Sequence, residues 1–88
     1  MASSNEYRGL GLNGGIYIND TAAKTNSNGW FAIVATEDTV IDSITSNVEN
    51  LGDITASEDN TTLSANTAIY GNISAVTLAS GAVIAYNI

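Results

Sequence analysis

Trp30-Phe31-Ala32-Ile33-Val34-Ala35-Thr36 is the stretch on which the fold turns. It lies between Asn28-Gly29 and Glu37-Asp38, and it is apolar at both parities. Along an extended chain Trp30, Ala32 and Val34 share one side, while Phe31, Ile33 and Ala35 share the other. A run this short between turn signals suits a strand better than a helix, and its aromatic and β-branched residues favour extended backbone. The run therefore predicts a strand that needs cover on both faces.

Upstream, Ile16-Tyr17-Ile18-Asn19 predicts a short strand, and Asp20 to Gly29 reads as a polar loop whose Asn28-Gly29 pair suits a tight turn. Downstream, Glu37-Asp38 turns the chain into Thr39 to Thr45, a half-exposed strand. Ser46 to Asn60 gathers acidic and Asn residues around Leu51-Gly52-Asp53-Ile54 and reads as a surface excursion with a short strand over 53–56. Leu63, Thr67 to Gly71, Asn72 to Ala79, the Ser80-Gly81 pair and Ala82 to Ile88 then read as strands closing in a two-residue hairpin. In that register Leu78 faces Val83 and Val76 faces Ala85 on one surface; Thr77 faces Ile84, Ala75 faces Tyr86 and Ile73 faces Ile88 on the other.

The whole chain agrees with an all-β reading. Among its 88 residues are ten Ile, five Val and ten Thr, all β-branched, with no Pro. A domain this small buries only about 60–65 % of its unfolded surface and usually needs staples. With no Cys and no His, disulfides and zinc are unavailable, which leaves oligomerisation. Residues 9–15, Gly-Leu-Gly-Leu-Asn-Gly-Gly, carry four glycines in seven positions and read as the end of a flexible N-terminal arm. The expected organisation is an arm over 1–15 and a single antiparallel β-sandwich or barrel-like domain over 16–88, completed by oligomerisation. Leu10 and Leu12 on the arm, with Ile73, Ile84, Tyr86 and Ile88 on the second apolar face, are the expected oligomer or partner contacts.

Several function classes fall away. Nine acidic against two basic residues give a net charge of −7, which repels phosphate, so no nucleic-acid partner is expected. Ile73 to Ile88 is too short and too interrupted to span hydrocarbon, and residues 1–6 carry no basic n-region, so neither a membrane anchor nor a secretory leader is expected. Without His or Cys the commonest base, metal ligand and thiol nucleophile are missing, and Lys24 sits in a polar segment unsuited to a desolvated base. Glu37, Asp38, Asp42, Glu58 and Asp59 are the only candidates for paired-carboxylate chemistry, and solvated surface is the better reading of them. No catalytic residue, metal site or cofactor is expected. The GxGxxG match at 9–14 follows no strand and opens no helical pattern, and the three Asn-X-Ser/Thr matches follow from composition. Trp30 is expected in the core. Tyr7, Tyr17, Tyr70 and Tyr86 are candidates for interface anchors or a sugar-stacking platform.

Leu63 to Tyr86, with its loop into Ile69-Tyr70-Gly71, its Ser/Thr-lined strand and its Ser80-Gly81 turn ending in Ala85-Tyr86, resembles small virion proteins of tailed bacteriophages. Gly29 to Ile33 and Thr39 to Ile41 fit the same pattern, so the resemblance spans the last two-thirds of the chain. Asn66 departs from it, standing where a tight-turn Gly is usual. The resemblance implies a non-enzymatic capsid decoration or cement protein, a homotrimer on the outer surface of the virion that bridges subunits of the major capsid protein. The alternative it leaves open is a fibre or tail module whose loops at 20–29 and 46–62 attach to host-surface glycan.

Overall fold

The computed structural model describes residues 13–88. The chain is all-β, with six strands: β1 (Gly15–Ile18), β2 (Lys24–Ala35), β3 (Thr39–Ser46), β4 (Thr62–Leu63), β5 (Ala68–Ser80) and β6 (Val83–Asn87), and a 3₁₀ turn at Leu51–Ile54 between β3 and β4. The strands form one sheet in the order β1-β6-β2-β5-β3-β4, antiparallel throughout.

A flat single sheet would leave both faces wet, yet Ile18, Ile33, Ile41, Ile73, Leu78 and Val83 are at most 1 % exposed. The sheet therefore rolls around its own side chains, as an open barrel-like layer whose edge strands β1 and β4 do not meet. Register breaks in β2 and β3 supply the bends. Trp30 joins this core as expected.

The expected hairpin does not form. β5 pairs with β2 and β3, and β6 pairs with β1 and β2, so the C-terminal half of β2 lies between the two segments flanking Ser80-Gly81. Leu78 lies opposite Ile41 instead of Val83, and Ile84 opposite Val34 and Tyr17 instead of Thr77. The physical reason is a clasp between two turns. The hydroxyl oxygen of buried Thr39, just after the β2–β3 turn, accepts from Ala82 N at 3.2 Å, while Ala82 O accepts from Thr36 N at 3.0 Å and Thr36 Oγ1 at 3.2 Å. The β5–β6 turn thus spends its polar groups on the neighbouring turn.

Other boundaries move as well. Residues 24–29 belong to β2 although they are polar: the strand loops outward between Thr25 and Trp30, and Asn26 Nδ2 donates to Gly29 O at 3.2 Å to close the bulge. Residues 53–56 are no strand, since Asp53 N and Thr55 N donate to Asn50 O and Gly52 O within a turn. Asn66 adopts φ 73, the left-handed conformation that asparagine tolerates in place of Gly. Of the expected arm over 1–15, residues 1–12 lie outside the described residues; Gly15 is corrected, since it already opens β1 opposite Tyr86.

Candidate contact surface

The pairing registers fix which side chains share a face. Ile33 lies opposite Ala85, and Ala35 opposite Val83, all four buried, so this parity faces the core. The other parity faces outward and forms two rows across β1-β6-β2-β5. One row is Gly15, Tyr86, Ala32 and Tyr70; the next is Tyr17, Ile84, Val34 and Ala68.

Strict alternation would place Trp30 with Ala32, but a bulge between them separates the two. Trp30 turns inward beside Ile73, and Phe31 joins the outer face, where its ring lies 6.3 Å from that of Tyr86. The face therefore carries four aromatic rings, two aliphatic side chains and two alanines, and no charged group. Tyr17 and Tyr70 stand out from it at 58 % and 60 % exposed, whereas Ile84, Val34, Phe31 and Tyr86 are half-buried between them.

Among the described residues the carboxylates lie elsewhere: Glu37 and Asp38 at the β2–β3 turn, Asp42 on β3, and Glu49, Asp53, Glu58 and Asp59 around the 3₁₀ turn. Asp20 pairs with Lys24 at 3.5 Å. The pair is part exposed and contributes little. Among the described residues no three acidic side chains converge to hold a metal ion. No helix there is long and apolar enough to cross a membrane.

At the end of the sheet opposite the clasp, amides gather. Asn26 Nδ2 donates to Asn87 Oδ1 at 3.1 Å, Asn87 Nδ2 to Asn13 O at 3.0 Å, and Asn28 N to Asn26 Oδ1 at 3.0 Å. With Gly29 and Ile88 these residues line a half-open hollow of about 250 Å³. A second amide staple joins Asn72 N to Asn47 Oδ1 at 3.0 Å.

Of the expected contact residues, the structure brings Ile84 and Tyr86 together on the outer face. Ile73 is corrected: it is fully buried in this chain's own core and cannot touch a partner. Ile88 is 55 % exposed but belongs to the amide-rich end. Leu10 and Leu12 lie outside the described residues. Tyr17 and Tyr70, the most exposed members of the face, needed the pairing register to be placed there. Comparison with protein-family models, curated proteins and solved structures finds no match for this chain.

Proposed function

We propose that this protein is a non-enzymatic structural component of a phage particle, a decoration or cement protein that stabilises the capsid shell by binding its subunits from outside. The observation that carries this reading is the apolar face across β1-β6-β2-β5, which gives the chain area to assemble through while the carboxylates of the described residues lie on other surfaces. The bacteriophage setting rests on the resemblance of residues 63–86.

The test is the copy number of the chain relative to the major shell protein in purified virus particles from the source of this sequence, by quantitative mass spectrometry. A ratio near that of the shell protein supports decoration; absence from particles refutes it. A handful of copies per particle favours the second reading, a fibre or tail module that attaches to glycan. The hollow at Asn13, Asn26, Asn28 and Asn87 supports that reading, because amide groups are suited to hydrogen-bonding sugar hydroxyls.

A further inference from the structure

The outer face has a relief that fits itself, and we infer that its occupant is a second copy of this chain. The inference rests on taking this face as a contact surface and gives it to a second copy, so that in the decoration reading above the shell is met through the other surfaces of the domain. Tyr17, on β1, and Tyr70, on β5, stand at diagonally opposite corners of the two rows. The other two corners are Gly15 and Ala68, the smallest residues available there. Between them run half-buried Tyr86, Ile84 and Val34, with Ala32 fully covered beneath the row.

Face-to-face stacking about a twofold axis along the strands sets Tyr17 over Ala68 of the second copy, and Tyr70 over its Gly15. An axis across the strands sets Tyr17 over Gly15 of the second copy, and Tyr70 over its Ala68. In both cases each raised corner meets a low one, the self-complementarity an isologous interface requires. Gly15 is fixed as a low corner, since a Cβ there would collide with the backbone of Ala85.

Charge points to the same occupant. A chain of net charge −7 repels its own copies wherever its carboxylates meet, and none of the carboxylates of the described residues lies on this face. The area sets the strength. Two tyrosines exposing about 120 Å² each, with their half-buried neighbours, bring the patch to about 400 Å² per copy, below the roughly 800 Å² per partner of a standard stable interface. Self-association is therefore weak in free solution.

The test is sedimentation velocity on the purified full chain from about 10 μM to 1 mM, a range spanning weak association. The expected result is a concentration-dependent rise from one chain to two. Tyr17→Asp and Tyr70→Asp should each weaken association at least about tenfold with unchanged circular dichroism, while Ser57→Glu, on the far loop, leaves it as it was. A single-chain mass throughout would overturn the inference and point to residues 1–12 or another protein as the cover. Dimers unaffected by both Asp variants would overturn it too, placing the contact elsewhere. Either failure leaves the copy-number measurement standing, and absence from particles leaves this one standing.

Discussion

Gly81→Ala tests the clasp that replaces the expected hairpin. Gly81 sits at φ +90, where an L side chain costs about 1–2 kcal/mol. A Cβ there would collide with Thr39 Oγ1 and fall 2.5 Å from Asp38 O and 2.6 Å from Thr39 Cα. Two of these three atoms are backbone and cannot swing aside, so one turn must back away from the other at an overpacking cost of about 1–3 kcal/mol. Together the two effects come to about 2–5 kcal/mol, between a large share and the whole of a stability on the order of 5 kcal/mol for so small a domain. Urea titration followed by Trp30 fluorescence, at a concentration that keeps chains apart, reads this directly. With a slope near 1 kcal/mol/M the midpoint should fall by at least about 2 M. Gly52→Ala is the matched control, since a Cβ there meets nothing within 4 Å, and its midpoint should hold or rise slightly. A shift below about 0.5 M for Gly81→Ala would refute the close approach of the two turns.

Thr39→Val keeps the shape of Thr39 but strands the buried Ala82 N–H, at about 1–3 kcal/mol; Thr39→Ser keeps the acceptor and should cost less, and the reverse order in urea midpoints would sink the capping account. Ile73→Asp should abolish folding, because the cluster around Ile73 consists of apolar side chains, whereas Ile73→Val should cost only about 0.5–1.5 kcal/mol; a dispersed amide NMR spectrum for the Asp variant would contradict the burial. With no His and no Cys, only the α-amino group ordinarily titrates in pH 6–8, so the side chains add no difference in proton binding between folded and unfolded chains there. The urea midpoint should be flat across that window, and a slope would expose a strongly perturbed group.

The all-β class and the strands at 16–19, 30–36 and 39–45 were legible because their signals are local: β-branched runs that each begin after Asn-Gly or Glu-Asp. The apolarity of both faces was legible for the same reason. The partner of each strand was not. Ser80-Gly81 looks like a hairpin turn from its own sequence, and only the clasp with Thr36 and Thr39, more than forty residues away, reveals that it joins strands on either side of β2. Polar residues 24–29 looked like a loop because the bulge that keeps them in β2 is closed by Asn26, an interaction without periodicity. Ile73 and Ile84 looked equivalent as apolar strand residues. Pairing sent the first inward beside Trp30 and the second outward beside Tyr17.

The bulge at Phe31 links the fold to the proposed role. Had the run from Trp30 to Ala35 alternated strictly, Trp30 would lie on the same side as Ala32 and Val34, placing the largest apolar side chain of the chain on the outer surface and Phe31 in the core. Register slips of one residue exchange entire faces, so the alternative is available to any strand this apolar. One extra residue between Trp30 and Ala32 turns the indole inward beside Ile73 and leaves the smaller Ala32 at the centre of the outer face. That low centre lets Tyr17 and Tyr70 stand above it as separate corners. The same local irregularity that completes the core of a small, unstapled domain thus also shapes the relief by which two copies can interlock.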